Sequence, residues 1–209
     1  MTLLRRFRSK RGQSLVEFAI ILPVIMFLVL GMVEMGFAIN HNTSIVTATR
    51  QGARVGSELV DGVNRDGTKL ESTASDNVDP QIIAAVEGVL ISPGSPVNIS
   101  QVQKIEIFLA NSTTGAMTAS VNTWIPAPAH TGPQIPGSSP AQYLDFKPQV
   151  GGTWNTWTRT GGGTAQSIGV KITYTYKFIT PLGGILTAFS SGQITMADQT
   201  IMAMEPPTP

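Results

Sequence analysis

Cysteine is absent from this 209-residue sequence, so neither a disulfide framework nor a thiolate metal site is available to it. Histidine is nearly absent: His41 and His130 lie far apart, and neither sits in a Ser/His/Asp order or a metal-ligand spacing. The expectation is a protein that is not an enzyme, with no catalytic residues, no metal and no cofactor. Charge is sparse at 13%, and the formal net charge of +1 conceals its distribution. No acid occurs in the first 12 positions, which hold Arg5, Arg6, Arg8, Lys10 and Arg11, while the remainder carries nine basic and 13 acidic residues. A mildly acidic body with singly scattered bases lacks the patch that a nucleic acid requires, so no nucleic-acid partner is expected. The 42% of hydrophobic residues suffices for a real core.

Charge is also missing from residues 18–33, and beyond Glu34 the apolar character continues through Met35, Gly36, Phe37, Ala38 and Ile39. Taken over residues 18–39, this run is long enough to span a bilayer, which needs about 20 helical residues. Five bases precede it, whereas Arg50 and Arg54 come well after it, which predicts the N-terminus in the cytoplasm and the body outside. A cleaved secretory signal peptide is the competing reading, but the run exceeds a signal core of about 7–15 residues and no small-x-small site closes it.

Two acids interrupt this pattern. Glu17 stands just inside the mouth of the apolar run, in Gly12-Gln13-Ser14-Leu15-Val16-Glu17-Phe18, directly after the basic cluster. Glu34 lies about 24 Å along a helix from Phe18 at ~1.5 Å per residue, at the outer interface, where a solvated acid is expected. Pro23 lacks an amide donor and should kink or loosen the helix near Ala19.

The stretch RGQSLVEFAIILPVIMFLVLGMVEMGFAINHNTSIVTATRQGARVG, residues 11–56, resembles the N-terminal region of TadE-like proteins, minor pilins or pseudopilins of the tight-adherence (Tad, Flp-type) type IV pilus system. The resembling elements are the Gln-Ser-Leu-Val-Glu-Phe start, Gly-Met-Val-Glu-Met-Gly-Phe-Ala at 31–38 and Ala-Thr-Arg-Gln-Gly-Ala-Arg at 48–54. Residues 174–206 are also similar to the way such proteins end. The resemblance implies a prepilin peptidase that cuts between Gly12 and Gln13, leaving Glu17 as the fifth residue of a mature chain, with Glu17 and Phe18 serving processing and assembly. Physical reasoning agrees: an unpaired ionisable group in a membrane helix costs several kcal/mol, and the N-terminal amine of a neighbouring subunit would neutralise Glu17 only at the correct axial offset. The alternative is that Glu17 merely snorkels to the headgroups. Glu34, Arg50 and Arg54 are candidate inter-subunit helix contacts; Arg50 and Arg54, four residues apart, share one helical face that solvent alone would also explain.

Beyond the membrane run there is no proline from Asn40 to Val60, so one helix is expected from about residue 14 to 60, with Gly52, Gly56 and Gly62 weakening its end. DGVNRDGTK at 61–69 reads as a turn-rich exit whose acids fail the calcium-loop spacing. Residues 79–92 predict a short amphipathic helix and 102–109 a strand with Ile105 and Ile107 on one face, Lys104 and Glu106 on the other. Strands are also expected at 167–179, with Val170, Ile172, Tyr174, Tyr176 and Phe178 on one face, and at 193–204. Residues 126–163, dense in proline and glycine, predict a long irregular excursion; Trp124, Trp154 and Trp157 beside it serve either a ligand or the local core.

The expected organisation is therefore a basic leader at 1–12, a transmembrane and assembly helix at 13–60, and an α+β head at 61–209 with a small antiparallel sheet and a Pro/Gly-rich loop at about 126–165. The expected partners are the prepilin peptidase, other pilin subunits, the Tad assembly machinery and the lipid bilayer. The expected location is the cytoplasmic membrane, single pass, with the head outside and incorporation into an extracellular pilus as a further step. The rival reading is a single-pass membrane-anchored envelope protein whose head binds a ligand or partner, with no pilus role.

Overall fold

The first structured element runs through proline. In the computed structural model, which describes residues 10–59, 78–159, 166–181, 183–184 and 192–204, helix α1 covers Lys10–Glu58 without a break at Pro23. Its first described residue, Lys10, already precedes the expected start at about residue 14, and it stops two residues short of Val60. The leader residues 1–9, the exit at 61–69 with Gly62, the glycine run 161–163 and the Trp157 side chain lie outside the described residues.

By its internal contacts the chain divides into two units, residues 1–38 with 177–193 and residues 39–176 with 194–209. In the first, α1 carries a continuous exposed apolar surface that includes Leu15, Phe18, Ile20, Phe27, Leu28 and Met32. Soluble monomers rarely leave a patch of that extent to water, and α1 is, among the described residues, one helix long and apolar enough to cross a membrane.

In the second unit α1 changes character. His41, Ile45, Ala48, Thr49, Gly52, Ala53, Gly56 and Ser57 are buried, a stripe recurring every three to four residues that marks one helical face. This face meets helix α2 (Val78–Leu90) and a five-stranded antiparallel sheet of β1 (Val102–Ala110), β2 (Met117–Pro126), β3 (Phe146–Pro148), β4 (Ser167–Lys177) and β5 (Gln193–Ala203), in the order β3-β2-β1-β4-β5. The architecture is α+β, as expected. The glycines that the sequence marks as weak points are where α1 comes closest to its neighbours. A Cβ on Gly52 would stand 2.5 Å from Val86 Cγ2 of α2 and 3.4 Å from Val170 Cγ1 of β4, and one on Gly56 would stand 2.6 Å from Ile168 Cδ1 and 3.1 Å from Ile82 Cδ1.

β1 is the central strand, paired with β2 through Ile105 opposite Trp124 and with β4 through Ile105 opposite Ile172. Val170, Ile172, Tyr174 and Tyr176 of β4 are buried, as their alternation predicts, and Ile168 joins them, while Phe178, expected on the same face, falls just past the end of the strand and is half-buried. The alternation in β1 predicts a solvated Lys104 and Glu106, but Glu106 is only 7% exposed. A central strand has both faces available for covering: Phe108, on the same side as Glu106, is fully buried with its ring against Gly169, and Lys104 Nζ donates to Glu106 Oε1 at 2.6 Å.

The Pro/Gly-rich excursion is more ordered than its composition implies. It contains β3, a bridge between Gln134 and Tyr143, and reciprocal backbone bonds in which Gly132 N donates to Leu144 O (2.9 Å) and Leu144 N to Pro133 O (2.9 Å). Leu144 and Phe146 thereby become core residues at 0% exposure.

Candidate functional site

The polar groups along α1 form the first candidate site. Gly12 is exposed with nothing within 4 Å of a Cβ placed on it. Directly after it, Gln13 Nε2 donates to Oε1 of Glu17, one helical turn on, at 3.0 Å, and Phe18 is 60% exposed beside it. Glu17 thus projects from a helix otherwise clothed in apolar side chains, with an amide rather than a cation as its hydrogen-bond partner.

Glu34 differs from the solvated acid that its position predicts. It is 6% exposed, and its carboxylate accepts two backbone donors, Ile179 N at 3.0 Å on Oε1 and Thr180 N at 2.8 Å on Oε2. Arg50 and Arg54 are exposed, and Arg54 Nη1 is 3.8 Å from Glu58 Oε1 one turn later, a surface pair of small energetic weight.

The head holds a second candidate. A cavity of about 760 Å³ is lined by residues of α2, β2 and the long excursion, among them Asp79, Asn122, Trp124, Gln149 and Trp154. Behind it lies an assembly that the sequence does not reveal. Arg159, fully buried, brings Nη1 to 2.6 Å from Asp79 Oδ1 and places its guanidinium carbon 4.2 Å from the centre of the Trp154 ring. The Arg159–Asp79 approach falls outside hydrogen-bonding angles, so coulombic attraction and the ring face hold the cation rather than aligned hydrogen bonds. Asn122 completes the frame: its Nδ2 donates to Asp79 Oδ2 (2.6 Å) and Trp154 O (2.7 Å), and its Oδ1 accepts from Trp154 N (3.0 Å). Asp79 lies in the first turn of α2, ahead of Pro80, and nothing local indicates that a cation 80 positions later will neutralise it. Trp124 and Trp154, 3% and 4% exposed, are chiefly core, and Trp124 Nε1 is buried without an acceptor among the described residues.

A third group joins Glu87, His130 and Asp145, whose ligand-type atoms lie within 4.8 Å of one another. His130 Nδ1 is 3.1 Å from Asp145 Oδ1, His130 N donates to the same oxygen at 2.7 Å, and Asp145 N donates to Glu87 Oε2 at 3.0 Å. These contacts pin the excursion to α2. Burial pushes the Glu87 carboxyl above its ordinary value of 4.5, opposed by the Asp145 amide, reinforced by the Asp145 charge and again opposed by His130. The other histidine, His41, is buried at 6% exposure, its ring 5.9 Å from that of Tyr174 and 5.0 Å from that of Tyr176. Tyr174 donates to Gln101 Oε1, and burial raises its phenol to about 12.

Chemically, the head offers a cavity lined by neutral side chains apart from Asp79, whose charge Arg159 compensates, and the helix offers an exposed apolar surface broken by one carboxylate near its start. Neither a curated protein nor a solved structure matches the chain. Residues 12–54 match the model of the family described as TadE-like protein, the same stretch that runs from the candidate cleavage glycine past Glu17 and Glu34 to Arg54. Over residues 12–54, therefore, this chain is similar to the TadE-like family.

Proposed function

We propose that this protein is a minor pilin or pseudopilin of a Tad-type pilus, made as a prepilin in the cytoplasmic membrane with its N-terminus in the cytoplasm and its head outside. A prepilin peptidase cuts between Gly12 and Gln13, and the mature helix then joins other pilin subunits and the assembly machinery without performing catalysis itself. The observation that carries this reading is the TadE-like match beginning at Gly12 on a helix whose apolar surface is exposed and interrupted by Glu17. In lipid or in a helical bundle, Glu17 needs a cationic partner, and the new amine of a neighbouring mature chain supplies one.

N-terminal sequencing of the protein from its native membrane, for wild type and Gly12→Ala, tests the proposal. Chains that start at Gln13 in wild type and stay unprocessed in the variant support it. A start at Met1 or Thr2 in wild type refutes it, and a start near residue 40 means that the head is secreted with Glu17 discarded. The second reading, a membrane-anchored envelope protein whose head binds a ligand, draws on the cavity of about 760 Å³ and predicts the uncut chain.

A further inference from the structure

Glu34 is 6% exposed, a costly setting for a carboxylate, and its hydrogen bonds to the amides of Ile179 and Thr180 explain what it does there. Leu15 is the first large exposed apolar side chain on α1, and a bilayer core of ~30 Å takes about 20 helical residues, so a span that begins at Leu15 ends close to Glu34. Glu34 accepts from the backbone amides of Ile179 and Thr180, which fixes these two residues beside this level of the helix.

The segment held there is suited to lipid. From residue 178 to 197 the chain carries no charged residue and no histidine. Ile179 is 59% exposed and Pro181 is exposed. Irregular backbone survives next to hydrocarbon only when its polar groups are satisfied internally. Here every described amide from 178 to 184 has an acceptor: Phe178 N donates to Gly192 O, Ile179 N and Thr180 N to Glu34, Gly183 N to Thr180 O, and Gly184 N to Pro181 O, while Pro181 has no N–H. Two of these amides have no backbone carbonyl within the turn and are matched by the carboxylate instead. One hydroxyl, Thr180 Oγ1, is left buried without a partner among the described residues.

We propose that residues 178–181, the start of the β4–β5 connection, form a second membrane-contacting element that rests in the interfacial layer of the leaflet where α1 emerges, with Ile179 against lipid and Glu34 as the residue that positions it. The exposed apolar surface of α1 continues past Glu34 through Met35 and Phe37, and Ile179, held at this level, is exposed as well. This inference rests on α1 spanning a bilayer.

The absence of native cysteine makes the test direct. Full-length single-cysteine variants Ile179→Cys, Met26→Cys and Ser112→Cys are labelled with an environment-sensitive fluorophore and reconstituted in phosphatidylcholine–phosphatidylglycerol vesicles. Quenching by lipids spin-labelled near the headgroup, or along the acyl chain, is compared with quenching by iodide in water. Met26, mid-helix and exposed, reports whether α1 spans; Ser112, in the exposed β1–β2 turn, reports the aqueous limit. The expected result is strong quenching of Ile179 by the shallow lipid label and weak quenching by iodide, with Met26 answering the deep label and Ser112 only iodide. Adding Glu34→Ala should return the Ile179 probe toward the Ser112 pattern. Met26 quenched by lipid while Ile179 behaves like Ser112 overturns the proposal and leaves the span standing. Ile179 shielded from both quenchers means that protein covers it, which also overturns the proposal. If Met26 is not quenched by either lipid, the span and the proposal fall together. Lipid quenching at Ile179 that survives Glu34→Ala overturns the positioning role assigned to Glu34.

Discussion

Gly52→Ala and Gly88→Ala are the same chemical change in the interior of a helix, and the structure predicts opposite signs for them. Glycine costs a helix interior about 0.8–1.0 kcal/mol relative to alanine, so replacing it stabilises wherever the methyl group has room. Gly88 in α2 has nothing within 4 Å of the added Cβ, and its alanine variant should gain close to that full amount. At Gly52 the added Cβ would meet Val86 Cγ2 at 2.5 Å and Val170 at 3.4 Å, so α1 must move away from α2 or Val86 must leave its rotamer. Overpacking of this kind costs about 1–3 kcal/mol, which exceeds the propensity gain and makes the variant less stable by up to about 2 kcal/mol. At ~2–4 °C per kcal/mol for a chain of this size, thermal unfolding of the detergent-solubilised full-length protein, followed by tryptophan near-ultraviolet circular dichroism, should raise Tm by about 2–4 °C for Gly88→Ala and lower it by up to about 8 °C for Gly52→Ala. A Gly52→Ala protein as stable as Gly88→Ala would mean that α1 does not lie against α2 and β4 at the distance described, and would remove the basis for treating the second half of α1 as part of the head's core.

Asp79→Asn should cost about 3–5 kcal/mol in urea denaturation, because it strands the fully buried Arg159 without its counter-charge, and adding Arg159→Met should recover part of that loss; a loss below about 1 kcal/mol would show the pair to be solvated. Glu87 binds its proton more tightly in the folded than in the unfolded chain, so its contribution is fully present below pH 4.5 and is lost as pH rises through the higher folded value. Glu87→Gln, which mimics the protonated form, should therefore gain stability relative to wild type as pH rises across that window, and a relative loss in parallel melting curves would contradict the buried placement. Tyr174 has the same sign at the alkaline end: its contribution is present below pH 10.0 and fades toward pH 12, and Tyr174→Phe should flatten that decline when unfolding is followed against pH.

The parts of the fold that were legible in the sequence are those governed by periodicity within one element. The run from Leu15 to Ile39, helix α2 and strands β1, β4 and β5 each carry their own apolar repeat. β2 was not legible because Met117–Pro126 is largely half-buried and draws its extended form from pairing with β1, and β3 is a three-residue edge strand that ends in Pro148. Of the candidate site residues, Gly12, Gln13, Glu17 and Phe18 were visible as a sequence pattern at the mouth of an apolar run. The Asp79–Arg159–Trp154 assembly and the Glu87–His130–Asp145 group were not, because each joins residues from distant parts of the chain that have no shared local pattern.

The sequence by itself determined that this chain has a membrane-length helix with a TadE-like start, since hydropathy, the position of charge and local order are properties of consecutive residues. Only the tertiary structure decided what the awkward residues along that helix are for. Gly52 and Gly56, weak points by propensity, became close-packing positions because Val86, Ile82, Ile168 and Val170 arrive from α2 and β4. Glu34, an isolated acid by hydropathy, became the acceptor for two amides 145 and 146 residues away. The physical reason is the same in each case: the cost of a missing side chain or a buried charge depends on what fills the space around it, and that is set by contacts between segments far apart in the chain.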